Sequence, residues 1–200
     1  MNKLAFLLLV AAMPCVFSQS LKTEELNVYM TRSNWLFASD VADLAHVDFA
    51  NLRAIEIEDG QWQELRKGRG KSATSIGDGL HQFTEVWLTW VYQLDAQHSV
   101  VDYEWEWVVG SSSHSNVVQV FELRDRKVYI TQQIEADIHH GGDAVGAWFN
   151  ADKKLLTVKA VADSPQGRCC PTEMNVLILR WEGNKFRRIS AKTVPLPKEN

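Results

Sequence analysis

Three acidic residues alternate with apolar residues in the segment VDYEWEWVV, residues 101–109. Side chains two residues apart point to the same face of a strand, so neighbouring carboxylates among Asp102, Glu104 and Glu106 would lie about 6.5 to 7 Å apart. This separation is close to that of the acid and base in inverting glycoside hydrolases, and the adjacent tryptophans would suit a sugar cleft. The simpler interpretation is a strand buried on one side only, whose other face carries solvated polar residues without a catalytic role.

A histidine-rich turn in IHHGGDAVGAWF, residues 138–149, holds candidate metal ligands. His139, His140 and Asp143 have suitable donor atoms, and His114 in the segment SSSHS is a candidate fourth ligand. Adjacent residues of a strand point to opposite faces, so both imidazoles reach one ion only if the chain turns, which the Gly-Gly pair favours. The alternative is a glycine turn flanked by surface histidines, because the spacing matches no established metal motif.

Two adjacent cysteines, Cys169 and Cys170, lie in the segment GRCCPT. Adjacent α-carbons are about 3.8 Å apart, which is shorter than the usual span of a disulfide, so a bond between them is strained. Pro171 favours an extended Cys170 and would help to fix the turn. For an oxidising compartment we predict a vicinal disulfide that forms a rigid corner, with two thiols or bridges to another chain as the alternatives.

Residues 1–18 have the features of a secretory signal peptide. Lys3 precedes an apolar run from Leu4 to Ala12, and small or polar residues follow. The run is too short for a bilayer, which requires about 20 apolar residues, and no second run of that length follows. Cleavage after Ser18 would also remove Cys15. The sequence therefore predicts an exported protein, periplasmic or secreted, that is soluble and has no transmembrane segment in its mature form.

The composition argues against some classes of protein. Cleavage after residue 18 removes one of 21 basic residues and none of the 25 acidic residues, which leaves a net charge of −5. This balance argues against nucleic-acid binding, and a hydrophobic fraction of 46% argues against disorder. The segment GRGKS at 68–72 resembles the end of a phosphate-binding loop but lacks its first glycine, so we expect a solvated basic loop and no cofactor. The many tryptophans favour either a large core or an exposed binding platform, for which the candidates are Trp87, Trp90, Trp105, Trp107 and Trp148.

Antiparallel strands would position these residues. Residues 19–46 have a helical pattern, and the pattern changes to that of strands from residue 47. Strand candidates are separated by short turns, and no helical segment between them leaves room for a parallel crossover. We therefore predict a mainly β fold, α+β at most, as a meander or a two-sheet sandwich over residues 47–190 with a polar tail at 191–200. The turn signals are Asp59-Gly60, RDRK at 124–127, NADK at 150–153 and EGNK at 182–185.

Several motifs follow one another in a fixed order. They are Asp48-Phe49, Gly77-Asp78-Gly79 before Glu85-Val86, Gly141-Gly142, Cys169-Cys170-Pro171-Thr172, and Trp181, Gly183 and Phe186. This order resembles that of a group of uncharacterised exported bacterial proteins with a CCP[ST] motif before a C-terminal strand hairpin, over about residues 47–188. The CCPT element is also similar, more distantly, to the mycobacterial LppP/LprE lipoprotein family, although Pro14 before Cys15 departs from a lipoprotein site. The resemblance implies export and supplies no catalytic residues.

We therefore expect an exported, non-enzymatic domain that has a structural role or binds an unknown envelope or extracellular ligand. The alternative is a glycan hydrolase that uses Asp102, Glu104 or Glu106, with Asp137 or Asp143 as a further carboxylate. This alternative requires two carboxylates in one cleft, at least one of them with a raised pKa. A third hypothesis is metal binding through the histidine-rich turn.

Overall fold

The chain folds into antiparallel strands. The computed structural model of the protein describes residues 26–55, 62–77, 80–109, 111–138, 144–162 and 170–197. One 3₁₀ turn, Leu44–His46, follows the first strand, and no helix in these ranges is long and apolar enough to cross a membrane. The strands are β1 (Val28–Ser39), β2 (Arg53–Ile55), β3 (Trp62–Glu64), β4 (Arg69–Gly77), β5 (Leu80–Gln93), β6 (His98–Val109), β7 (Ser111–Arg124), β8 (Lys127–Asp137), β9 (Gly146–Asn150), β10 (Leu155–Val161), β11 (Glu173–Trp181) and β12 (Phe186–Pro195).

The strands form two large sheets and one small one. Sheet A has six strands in the order β1-β8-β7-β6-β5-β4, and sheet B has four in the order β12-β11-β10-β9. The small sheet consists of β2 and β3. Every pairing is antiparallel, which confirms the predicted mainly β, antiparallel fold. The fold contains both expected arrangements, the meander and the two-sheet sandwich. Strands β4–β8 and β9–β12 are meanders, and the two large sheets pack face to face.

Three of the predicted turns connect strands where they were expected. Asp125 and Arg126, with φ of 49° and 61°, join β7 to β8 in the left-handed conformation that a two-residue hairpin requires. The turn after Asn150 joins β9 to β10, and the turn with Gly183 at φ 85° joins β11 to β12. β2 and β3 pair at Ile55 and Trp62, as strands flanking a hairpin do.

Sheet A is buried on both faces over much of its area. Toward sheet B, Val100 of β6 lies in one core with Leu177 of β11. On the opposite face, Trp105 of β6 lies in a second core with Phe49 and Leu65, which belong to the segment between β1 and β4. β6 is therefore buried on both faces where sheet B overlies it. The prediction that this strand is buried on one side only is wrong for that part of it.

The helix predicted over residues 19–46 is wrong for the part that the structure describes. Val28–Ser39 forms β1 and pairs with β8, from Ala136 at one end to Lys127 at the other. Leu26 and Val28 are fully buried in the core between the sheets. Strand formation depends on cross-strand and same-face packing, so pairing with a distant strand outweighs a weak local helical pattern.

Two segments for which the sequence predicts a loop and a tail belong partly to strands. The segment 68–72 lies mostly in β4. The polar tail predicted at 191–200 starts later, because β12 pairs with β11 as far as Pro195. In each case main-chain hydrogen bonds to a neighbouring strand hold the segment, and polar side chains at alternate positions are compatible with that.

Some predicted features lie outside the residues that the structure describes, and they stay predictions. They are the signal peptide at 1–18, the turn residues Asp59-Gly60, Asp78 and Gly79, the histidine-rich turn with His139, His140, Gly141-Gly142 and Asp143, and Cys169.

Candidate functional site

Sheet B covers only part of sheet A, and β9 forms its boundary. The indole Nε1–H of Trp90 on β5 donates to the Ala147 carbonyl on β9 at 3.1 Å. Gly146 of β9 lies beside β7, since a Cβ built on it would be 3.2 Å from Asn116 Oδ1. β9 therefore crosses over β5, β6 and β7. Beyond this crossing the same face of sheet A carries partly exposed polar side chains.

These side chains form two rows across four strands. Residues paired on neighbouring strands share a face of the sheet. In the first row, Lys71 pairs with Glu85, Glu85 with Glu106, and Glu106 with His114. In the second row, Arg69 pairs with Trp87, Trp87 with Glu104, and Glu104 with Asn116 next to β9. We call this open surface the shelf, and it consists of Arg69, Lys71, Glu85, Trp87, Glu104, Glu106 and His114.

The shelf carries more negative than positive charge. Lys71 forms an ion pair with Glu85. His114 lies between the other two carboxylates, with Nδ1 3.7 Å from Glu104 Oε1 and Nε2 3.5 Å from Glu106 Oε1. Glu104 and Glu106 remain 38% and 22% exposed, so a ligand on the shelf can reach both carboxylates. Carboxylates accept hydrogen bonds from hydroxyl and ammonium groups, which defines the chemistry that this surface can recognise.

Asp102, the third acid of the predicted stripe, lies underneath β9 and is only 1% exposed. The Asn116 Nδ2–H group donates to its two carboxylate oxygens at 3.2 and 3.0 Å. The Thr89 hydroxyl contacts Asp102 Oδ2 and lies 2.9 Å from the Asp102 main-chain oxygen. The interpretation of all three acids as a solvated face is therefore wrong for Asp102, because sheet B covers it.

Burial raises the pKa of Asp102 to about 8, against the opposing hydrogen bonds from Thr89 and Asn116, and the charge of Glu104 adds to the increase. The geometry agrees with a protonated carboxyl group. A hydroxyl has one hydrogen, and Thr89 Oγ1 is close to two acceptors of Asp102. Both contacts are hydrogen bonds if Thr89 donates to the main-chain oxygen and accepts from the protonated carboxyl. Asp102 is thus a neutral acid near pH 7.

Trp148 stands at the step between sheet B and the shelf. Its side chain is 42% exposed, and Lys159 Nζ lies 4.8 Å from the centre of its ring. A Cβ on Gly146 would meet this ring at 3.5 Å and Asn116 at 3.2 Å, so the indole and the second row of the shelf flank the same glycine. Gly146 has φ +131°, which other residues rarely adopt. By strand alternation Trp148 points away from sheet A, opposite to Ala147 and Phe149, and the tip of its ring reaches back to Gly146 beside Asn116.

Of the other predicted platform tryptophans, Trp87 lies on the shelf, whereas Trp90, Trp105 and Trp107 do not. Trp105 is 1% exposed, and its ring stacks on Trp107 at 5.9 Å on the opposite face of sheet A. Trp90 packs under β9 with its indole bonded to the Ala147 carbonyl, and Trp87 is half-buried on the shelf. Trp105 and Trp107 are odd-numbered residues of β6, whereas the shelf residues Glu104 and Glu106 are even-numbered. The two tryptophans therefore point to the face of sheet A opposite the shelf.

The predicted metal ligands are only partly within the described chain. Among the residues that the structure describes, no group of three His, Cys, Asp or Glu side chains is arranged to hold a metal ion. The histidine-rich turn starts next to the shelf, because the Ile138 N–H donates to the His114 carbonyl at 3.1 Å. Asp137 lies on β8 opposite Ser115 of β7. Cys170 is exposed.

The sequence does not indicate that Lys71 and Glu85 belong to this site, and it marks Trp87 only as a candidate for a tryptophan platform. All three residues belong to β4 and β5, and only their cross-strand register places them beside Glu104 and Glu106. The alternation of Glu85 and Trp87 is a visible signal that they share a face. Their position opposite the acids of β6 depends on the register of the β5–β6 hairpin, which the sequence does not reveal.

The fold and the shelf together define a two-sheet antiparallel β protein with an open, polar face bordered by an exposed tryptophan. Comparisons of the chain with protein-family models, with curated proteins and with solved structures found no significant match.

Proposed function

We propose that this protein is an exported, non-enzymatic module that binds a ligand on the shelf. The observation that carries the proposal is the exposed ring of Trp148, whose tip lies beside Gly146 and Asn116, the cross-strand neighbour of the accessible Glu104. Large exposed aromatic side chains next to polar groups are typical of binding sites, because the ring excludes water while the polar groups fix orientation.

The chemistry of the shelf favours a polyhydroxylated ligand with amino groups, such as an amino-sugar polymer. The apolar face of a sugar ring packs on an indole, and an ammonium group is attracted to an indole face. Glu104 and Glu106 can accept hydrogen bonds from hydroxyl and ammonium groups. Three carboxylates against the two cations Arg69 and Lys71, with His114 between Glu104 and Glu106, disfavour an anionic ligand at the same place.

Binding is favoured over hydrolysis because of Asp102. An inverting or retaining glycosidase needs an acid with a raised pKa in contact with the glycosidic oxygen. Among the residues that the structure describes, Asp102 has a carboxyl group with a raised pKa, and β9 covers it. The raised pKa therefore comes from structural burial and does not supply a catalytic acid.

Export and the cysteine motif complete the proposal. Cleavage after Ser18 would place the chain in an oxidising compartment, where Cys169 and Cys170 would form the vicinal disulfide. We also propose that the chain belongs with the exported proteins that carry a CCP[ST] motif, on the order of motifs given above. Metal binding through His139 and His140 stays an alternative, which a metal-content assay on protein purified without a histidine tag tests.

A titration with defined oligosaccharides tests the proposed function. Calorimetry of the mature protein would use β-1,4-linked glucosamine oligomers, neutral glucose oligomers of the same linkage, and anionic galacturonate oligomers. We expect saturable binding that is strongest for glucosamine, and we expect Trp148→Ala to weaken it at least about tenfold. Glu104→Gln should weaken glucosamine binding more than binding of the neutral oligomer.

The matched control is Tyr29→Ala, which removes an aromatic side chain of similar exposure, 45%, from β1 at the far edge of sheet A. Its binding should equal that of the wild type. Absence of saturable binding to all three oligomers, or equal binding by the Trp148→Ala protein, would refute the proposed site. Release of shorter sugars during incubation would refute the non-enzymatic role.

A further inference from the structure

A second surface feature lies at the opposite edge of the sandwich from the shelf. β1 is an edge strand of sheet A and β12 is an edge strand of sheet B. A groove of about 470 Å³ runs between them, within the size range of small-molecule sites. Its lining residues are Met30, Thr31, Arg32, Gln132, Lys185, Phe186, Arg187 and Arg188.

The groove is basic in a chain with more acidic than basic residues. Four of its eight lining side chains are cationic and none is acidic, whereas the whole chain has 21 basic and 25 acidic residues. Glu182, which is not among the lining residues, forms an ion pair with Arg187 at 2.6 Å. Such a local excess of one charge raises the concentration of oppositely charged ligands nearby.

The floor of the groove is held in place by a buried amide. Gln132 is 4% exposed, and its Nε2–H donates to the Phe186 carbonyl at 3.0 Å while its Oε1 accepts from the Phe186 N–H at 2.7 Å. Phe186 itself is 1% exposed in the core between the sheets. These two hydrogen bonds fix the start of β12 against sheet A. The cations on β12 therefore project from a fixed main chain, which lowers the entropy cost of binding.

Two arginines are also oriented by contacts at the rim. Arg32 Nη1 lies 3.5 Å from the Asn184 carbonyl, and Arg187 Nε pairs with Glu182. A guanidinium group held by one edge still presents further N–H donors, and their fork matches two oxygens of a phosphate group. Lys185 adds an ammonium group on the same side of the groove.

We propose that this groove is a binding site for a phosphate ester, separate from the ligand site on the shelf. Several oxygens of one phosphate, or two phosphates on a sugar-sized scaffold, match four cations in a groove of this volume. The phosphate ester can belong to a soluble metabolite or to the headgroup of a phospholipid. The shared chemistry is the dianionic or monoanionic phosphate, and the test below separates the two sources.

The test uses the mature protein with two probes. Calorimetry with fructose 1,6-bisphosphate measures binding of a soluble phosphate ester, and co-sedimentation with vesicles of phosphatidylglycerol, compared with phosphatidylcholine, measures binding of a headgroup. The variant Arg32→Gln/Lys185→Gln removes two cations of the groove. The control Arg66→Gln/Lys67→Gln removes the same charge from the exposed basic turn before β4.

We expect one probe to bind, and the groove variant to weaken that binding at least about tenfold while the control stays within about twofold of the wild type. Binding should also weaken as the salt concentration rises. The probe that binds identifies the source of the phosphate. Failure of both probes, or equal losses in the groove variant and the control, would overturn the inference.

Two further measurements distinguish a loss of phosphate binding from a loss of folding and from a change on the shelf. The urea midpoint of each variant shows whether it is folded, and the single variant Lys185→Gln, in a partly exposed turn, should still lower affinity if the double variant is unstable. Trp148→Ala should leave phosphate binding unchanged, so failure of the shelf and failure of the groove are distinguishable.

Discussion

The buried carboxyl group of Asp102 should make the stability of this protein fall as pH rises. The folded protein holds the proton to a pKa of about 8, whereas the unfolded chain releases it near 3.8. The folded state therefore binds one more proton than the unfolded state between these values. The stabilisation that comes from the protonated carboxyl group is fully present below pH about 4. It is lost progressively as the pH rises from there through about 8.

The size of this effect follows from the two pKa values. Integrated from pH 5 to pH 9, one group with this change contributes about 4 kcal/mol to the free energy of unfolding. With an m-value of about 2 kcal/mol/M, the urea midpoint would fall by about 2 M across the same range. Partial burial opposes ionisation of Asp95, yet hydrogen bonds from His98 and the Gln97 N–H hold its pKa below 3.8. The titration of Asp95 therefore lies below the range from pH 5 to pH 9.

Asp102→Asn is the matched perturbation, because an amide has the shape of the protonated acid. Its Nδ2 can donate to Thr89 Oγ1, and its Oδ1 can accept from Asn116 Nδ2. We expect the variant to be within about 1 kcal/mol of the wild type at pH 5 and to be more stable at pH 9. The assay is urea unfolding followed by tryptophan fluorescence at pH 5, 7 and 9.

Three results would refute this reasoning. If the wild-type midpoint is the same at pH 5 and pH 9, Asp102 does not hold a proton in the folded state. If the Asp102→Asn midpoint falls as much as that of the wild type, the pH dependence belongs to other groups. A large loss of stability in the variant at pH 5 would show that the carboxyl group is ionised and paired there.

Three further predictions concern packing and processing. Gly70→Ala should lower the free energy of unfolding by about 2 kcal/mol, because its Cβ would lie 2.7 to 2.9 Å from three atoms of β3 and β5; an unchanged urea midpoint would contradict this packing. Tyr103→Phe should be neutral or stabilising by about 1 kcal/mol, since the buried hydroxyl has no hydrogen-bond partner among the described residues, and a clear loss of stability would be the opposite result. Intact mass of the exported protein should match a start at Gln19, with Cys169 and Cys170 unreactive to an alkylating agent without reductant; two alkylations would contradict the vicinal disulfide.

The strands of this fold could be predicted where their signals are local. β5 to β8 and β10 to β12 have runs of β-branched and aromatic residues separated by turn residues, and the turn at Asp125 and Arg126 lies where it was expected. Each of these hairpins joins neighbours in sequence. Their existence therefore depends on short segments that can be read directly from the chain.

β1 and β9 could not be predicted in the same way. The spacing of Leu26 and Met30 predicts a helix at β1, but its partner strand β8 begins at Lys127, far along the chain. β9 is only five residues long, Gly146–Asn150, and follows a glycine-rich turn. Both strands are defined by distant partners, which no local pattern encodes.

The shelf could be predicted only in part, because some of its features depend on contacts between strands that are distant in sequence. The alternation of β6 correctly placed Glu104 and Glu106 on one face, and the structure adds His114 opposite Glu106. The burial of Asp102 depends on where β9 crosses sheet A. That crossing decides which acid is accessible to a ligand and which is neutral in the interior, and it is a property of the tertiary fold.

The most direct test of the proposed function is to map glucosamine-oligomer binding on the indole N–H signals in a ¹H–¹⁵N NMR spectrum. Trp148 and Trp87 report on the shelf, and the buried Trp105 and Trp181 serve as internal controls. We expect the signals of Trp148 and Trp87 to shift in a saturable way while those of the two buried residues stay in place. Unchanged shelf signals at saturating oligomer, or shifts confined to tryptophans outside the shelf, would contradict the proposal.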